Sequence, residues 1–297
     1  MTPFGQQLKI LRKRKHLTQE QLAIKVGLKQ SAIANYEKGQ RFPDEQTLIK
    51  FAQTLESSLD ELLGTGIGYY GVLKDEQVIE SGQAFYQKLL QGDEQKALSI
   101  VYNNLLYGAT SHQIYKYLIL SALWKTGQAW SEGHIKIAQE HYISGQIMKI
   151  LSILGEKLPK KPTLGKTVIG FLPTGEEHII PLRIFCDLLE QEGVKTFFIG
   201  QKLPLEETCQ WINQINPDAL VLSITQEKSL PSLQQNLKTI EEYCSELKMI
   251  MIGGSGLSKT SSIPELGKIR VYTSEDLFGG VEKLLRLMSA PIQSKTE

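Results

Sequence analysis

Two short stretches concentrate the side chains of this chain that could do ligand chemistry. In FLPTGEEHIIPLRIF, His178 follows an apolar run and stands two residues after Glu176. An imidazole at the end of a strand can offer one ring nitrogen to a ligand while a carboxylate holds the other and raises its basicity. The second stretch, WSEGHIKIAQEHYIS at 130–144, gathers two of the five histidines and one of the three tryptophans. If one helix ran through it at about 100° per residue, Trp130, Ile137 and His141 would share a face, flanked by His134 and Glu140. Taken singly, Trp130 reads as bundle core, Glu140 as a solvated face and His178 as a surface polar residue. Their occurrence together is what asks for an explanation.

The elements around them come in three blocks. Residues 166–290 alternate short β-rich runs (KTVIGFLP, KTFFIG, DALVLSIT, MIMIGG, IRVYT) with amphipathic stretches. Five βα units with nearly continuous apolar strands predict a doubly wound, flavodoxin-like parallel sheet, with its ligand outside the carboxyl ends of the strands. His178 then lies beyond the first strand. Ser223 and Thr225 end the third, and Gly253 and Gly254 end the fourth, where missing side chains let something large come near. Residues 81–155 show helical periodicity in four stretches and predict a four-helix bundle. Residues 65–80 and 156–165 are expected linkers, and 291–297 a tail.

Residues 1–64 predict five short helices. Thr18 with Gln21 forms a capping-box pattern, Gly27 and Gly39 close the second and third helices, and Asp44 and Ser58 open the fourth and fifth. Helix, glycine turn, helix is the helix-turn-helix arrangement. This block carries ten Lys/Arg against seven Asp/Glu, a net of +3, whereas the whole chain is only +1. That local excess suits phosphate contacts.

At 297 residues, with 41% apolar and 22% charged residues, the chain reads as a multidomain globular protein. No apolar run approaches membrane-spanning length, and no signal peptide is visible. Three cysteines without CxxC spacing read as reduced, buried thiols of a cytoplasmic protein. No P-loop, GxSxG or HExxH pattern suggests catalysis, so the chain is expected not to be an enzyme.

The string LTQEQLAIKVGLKQSAIANYEKGQRFP closely resembles the phage-repressor (Cro/C1, XRE) family. The resemblance implies binding to a double-stranded DNA operator, with Gln19 and Gln30 at phosphate or base edges and Ser31 and Asn35 on the recognition helix. Short amides and hydroxyls there can reach adenine or phosphate in the major groove. Arg12 and Arg41 are expected to contact backbone phosphates.

Acid-x-His after the first strand, Ser-x-small after the third and Gly-Gly after the fourth together resemble the cobalamin-binding domain. By that resemblance His178 is the lower axial ligand of cobalt, displacing the cofactor's own base. Ser223, Thr225, Gly253 and Gly254 line the slot for the displaced tail. Trp130, followed after nine residues by Glu140-His141, is similar to the W-x9-EH pattern of the cobalamin-dependent photoreceptor repressors of the CarH/CarA type. There it implies that Trp130, Ile137, Glu140 and His141 shield an upper 5′-deoxyadenosyl group. The whole then reads as a regulator whose oligomerisation, as dimer or tetramer, and DNA binding follow adenosylcobalamin and light.

Three departures stand out. Pro181 replaces the family's glycine three residues after the axial histidine, and Ser131 replaces a histidine that follows the cap tryptophan. The reader is of phage-repressor rather than MerR type. Competing readings keep the reader but put haem on His178, or make the α/β domain a cofactor-free docking surface for a protein. A third makes the chain a corrinoid methyl carrier.

Overall fold

The structure, a computed structural model, describes residues 3–63, 73–200, 204–257 and 263–289. Residues 65–72 of the first expected linker and the expected tail 291–297 lie outside these. The chain divides into two compact units, residues 1–150 and 151–297.

The first unit opens with five helices: α1 (Pro3–Arg14), α2 (Gln19–Val26), α3 (Gln30–Lys38), α4 (Glu45–Leu55) and α5 (Leu59–Leu63). Their boundaries are set by the capping chemistry read from the sequence. Thr18 Oγ1 accepts from Gln21 N–H while the Gln21 side chain accepts from Thr18 N–H. Gly27 turns the chain into α3 at φ 74°, a conformation that glycine adopts without a Cβ clash. Leu8, Leu22, Ile33, Phe51 and Leu55 meet in one fully buried core, which fixes α3 against α2.

A helical bundle follows: α6 (Asp75–Leu90), α7 (Glu94–Leu106), a long third helix and α10 (Ile137–Lys157). The third helix is α8 (Ser111–Gln113), a π-helical segment (Ile114–Leu120) and α9 (Ser121–Ser131). Two expectations are corrected. The linker reading of 65–80 fails at its end, because α6 starts at Asp75, where Gln77 accepts from Lys74 N–H and two acids sit in the first turn. The single helix supposed for a shared face at 130–144 is also absent, and the break falls at the joint between the third and fourth bundle stretches. The helical path breaks after Ser131, turns at Gly133 (φ 76°) and restarts at Ile137, so Trp130 and His141 do not share one helical face.

The π-helical segment lies against α6 at Gly82, where an added Cβ would stand 2.2 Å from the Tyr117 carbonyl oxygen. Backbone cannot yield as a side-chain tip can. Gly82→Ala is therefore expected to cost about 1–3 kcal/mol of overpacking, read as a lower midpoint in urea unfolding.

The second unit is an α/β sandwich. Strands β1 (Thr167–Phe171), β2 (Lys195–Gly200), β3 (Ala219–Ser223), β4 (Met249–Gly253) and β5 (Arg270–Ser274) are all parallel, in the order β2-β1-β3-β4-β5. Helices α11 (Ile179–Gln191), α12 (Leu205–Ile215), α13 (Leu230–Tyr243) and α14 (Leu277–Ser289) connect and cover them. Leu182, Leu189 and Leu284 of α11 and α14 pack on one face, and Ile212, Leu233 and Ile240 of α12 and α13 on the other. Burial on both faces is why these strands read as unbroken apolar runs. The topology is the expected flavodoxin-like one, and its winding reverses between β1 and β3, the place where such sheets take ligands at the carboxyl ends of the strands. Cys186, Cys209 and Cys244 are all free and buried in this unit. Among the described residues, no helix is long and apolar enough to cross a membrane.

Candidate functional site

On the reader, a line of polar groups runs from the core to the recognition helix. Arg12 Nε and Nη2 donate to Glu37 at 2.6 and 3.1 Å, and Nη1 donates to the Leu17 carbonyl at 2.7 Å. Both ionic side chains are buried. This corrects the assignment of Arg12 to DNA phosphate, because its guanidinium is spent inside the fold holding α1 to α3. Glu37 also accepts from Gln19 Nε2 at 2.8 Å, and Gln19 Oε1 accepts from Gln30 Nε2 at 3.0 Å. Each amide is thereby oriented, which leaves Gln30 with its carbonyl and a second N–H for a base edge or phosphate. Ser31, Lys38 and Arg41 are exposed and Asn35 is half-buried. Of the basic cluster, Arg14 pairs with Glu61 and Lys15 with Glu56.

In the bundle, Trp130 and Ile137 are about half exposed, at 48% and 51%, large apolar surfaces in a segment that also turns sharply. His141 Nδ1 lies 2.5 Å from Glu140 Oε2, and Ser144 Oγ donates to the other Glu140 oxygen at 2.8 Å. The pattern residues of the second helix thus form one hydrogen-bonded group. Ser131 donates its hydroxyl to the Gln128 carbonyl at 2.8 Å.

At the carboxyl edge of the sheet, Glu176 is the hub. Its buried carboxylate accepts from the backbone N–H groups of Glu177 and His178 at 3.0 Å each, and from those of Thr225 and Gln226 at 2.9 and 3.2 Å. His178 Nδ1 lies 2.5 Å from the same carboxylate. Burial alone would raise its pKa, but the hydrogen bonds from the His178 ring and from the His178, Thr225 and Gln226 backbone outweigh it and hold the group at about 2. One side chain therefore ties the loop after β1 to the loop after β3. His178 caps α11, and Pro181 fits the first turn of that helix, where no intrahelical N–H bond is lost.

A charged acceptor of five N–H groups is expected to stabilise the ligand-free chain. Its pKa lies below the ordinary 4.5, so the contribution is complete above that value and fades as pH falls toward 2. Unfolding midpoints of wild type and Glu176→Gln should differ most at pH 7 and converge as the solution is acidified through that window.

Ser223 is buried at the end of β3, Thr225 is half-buried beyond it, and Ser255 Oγ donates to the Thr225 carbonyl at 3.2 Å. The glycine pair divides. Gly253 has ordinary space around it, but a Cβ on Gly254 (φ 116°) would lie 2.1 Å from the Ile224 carbonyl oxygen. What comes near Gly254 is the β3 loop of the protein itself. Two residues of this network, Glu37 and Gln226, were not singled out from the sequence. Glu37 stands inside the quoted helix-turn-helix string, but its partner Arg12 lies 25 positions away, and Gln226 meets His178 across 48, so spacing pointed to neither pairing.

Comparison with known proteins agrees with this geometry. Residues 8–62 match the helix-turn-helix family and residues 82–154 the B12 binding domain family. The HTH-type transcriptional repressor CarH of Myxococcus xanthus is 23% identical over 247 residues, covering 82% of this chain and 81% of that protein. The cryptic phage CTXphi transcriptional repressor RstR of Vibrio cholerae serotype O1 is 32% identical over 95 residues, 32% of this chain and 80% of that protein. The monomethylamine corrinoid protein of Methanosarcina barkeri shares the fold, with a TM-score of 0.59 at 18% identity, over 70% of this chain and 98% of that one. A helix-turn-helix module and a B12-binding module thus stand in one chain that is similar, over most of its length, to a CarH repressor, which supports a B12-binding transcription regulator.

Proposed function

We propose that this regulator reads adenosylcobalamin, and that loss of the adenosyl group in light changes its oligomeric state and so its hold on operator DNA. The observation that carries the reading is the Glu176–His178 pair at the switch point of the sheet. With Nδ1 engaged by a carboxylate that also accepts four backbone N–H groups, the ring is oriented and its Nε2 is the nitrogen suited to cobalt. Ser223 and Thr225, at the end of β3, suit the displaced nucleotide tail. When bound, the cofactor supplies a light-sensitive cobalt–carbon bond.

The roles of Trp130, Ile137, Glu140 and His141 as shield of the upper ligand rest on the sequence pattern, supported by the half-exposed indole and the Glu140–His141 pair. An indole packs on an adenine-sized surface, and a carboxylate accepts from ribose hydroxyls. Ser131 carries no ring nitrogen, so a second nitrogen ligand from that position is ruled out by its chemistry. The working division is a reader over 1–64, a cap over 75–155 and an α/β domain over 166–290.

A single reader binds DNA weakly at physiological salt, and pairing readers on adjacent half-sites supplies most of the usable affinity. Oligomer size is therefore the natural output. The test is size-exclusion chromatography with in-line absorbance, on protein loaded with adenosylcobalamin in the dark and then illuminated. Retained corrinoid with a light-dependent change of size is the expected result. No retained corrinoid overturns the reading of the site, and retention without a size change overturns the light-controlled assembly.

A further inference from the structure

The Gln226 side-chain nitrogen lies 3.5 Å from His178 Nε2. The hydrogen-bond directions follow from the surrounding groups. A carboxylate that accepts backbone N–H groups on both oxygens is ionised, so His178 Nδ1 is the donor to it. In the neutral ring Nε2 then carries the lone pair, and the Gln226 amide can only donate to it. That lone pair is also the one a metal would need, and it serves one partner at a time.

The backbone around Gln226 is fixed on two sides. Its own N–H is bound to Glu176, and Gly256 lies so close that a Cβ there would stand 2.8 and 2.9 Å from Gln226 backbone atoms. Movement is left to the side chain. The residue is extended (φ −117°, ψ 132°) just before a 3-10 turn at Glu227–Ser229, so the amide can swing about its own torsions without disturbing β3.

We infer that Gln226 is a gate on the axial histidine: its amide lies at His178 Nε2 and must swing away before that nitrogen can bond cobalt. This rests on the reading of His178 as the lower ligand. A contact at the long limit of a hydrogen bond is weak, so the gate slows loading without preventing it.

The experiment uses the full chain and adenosylcobalamin in the dark, with association followed by rapid gel filtration. Gln226→Ala and Gln226→Asn both withdraw the amide from Nε2 and should load about two- to tenfold faster than wild type. Gln226→Leu, which keeps a bulky side chain but has no N–H to donate, should load faster as well, so that the hydrogen bond and the bulk are told apart. Faster loading by both Ala and Leu is not expected of a merely structural residue. Equal loading by all four proteins overturns the gate. A separate measurement isolates the underlying reading: wild type labelled with 15N-histidine, converted to the cobalt(II) form, should change the nitrogen splitting in its electron paramagnetic resonance spectrum. An unchanged splitting overturns His178 as ligand, whatever the Gln226 variants do.

Discussion

Protein carrying His178→Ala is expected to lose adenosylcobalamin during gel filtration, with affinity reduced about a hundredfold or more. Removing only an outer partner of a metal-binding histidine typically costs 10- to 100-fold, and the ligand itself should cost at least as much. The apo fold should survive. The His178 side chain is 43% exposed, and the backbone N–H by which it also reaches Glu176 is kept in alanine. Equilibrium dialysis in the dark, beside a thermal unfolding scan, checks both halves. Undiminished binding in a folded variant would remove the corrin from the β1 loop altogether.

The second large effect concerns the reader. Glu37→Ala leaves the Arg12 guanidinium buried without its counter-charge and is expected to destabilise residues 3–63 by about 3–5 kcal/mol. Gln19 loses its acceptor in the same step, and with it the fixed orientation of Gln30. Scanning calorimetry should show the corresponding transition moving to lower temperature. The joint change Arg12→Met with Glu37→Leu removes both charges and should recover most of the loss, because an apolar pair has no desolvation cost. If the single and joint variants unfold alike, the buried pair is not what holds α1 to α3.

What could be read from the residues alone follows the range of the interactions involved. Capping is local, so Thr18, Gly27, Gly39 and Asp44 marked helix ends correctly from three- or four-residue patterns. Strands buried on both faces announce themselves by composition, and the β2-β1-β3-β4-β5 order is that of the expected fold. Partnerships that cross the fold left no trace in sequence spacing. Arg12 read as a phosphate contact until Glu37 was found beside it, and Gln226 drew no reading at all. The 130–144 segment divides differently. The joint between the third and fourth bundle stretches was legible, but the shared face supposed for Trp130 and His141 was not realised, because the chain turns at Gly133 between the two helices.

The placement of the thiols has a practical outcome. All three cysteines of the chain are enclosed in the α/β half, and the helical half has none. An alkylating reagent can reach them only when that half opens, so its rate of modification clocks that opening without any engineered label. Whatever binds the closed form must slow the clock as its occupancy rises, which reports binding without relying on the colour of the ligand.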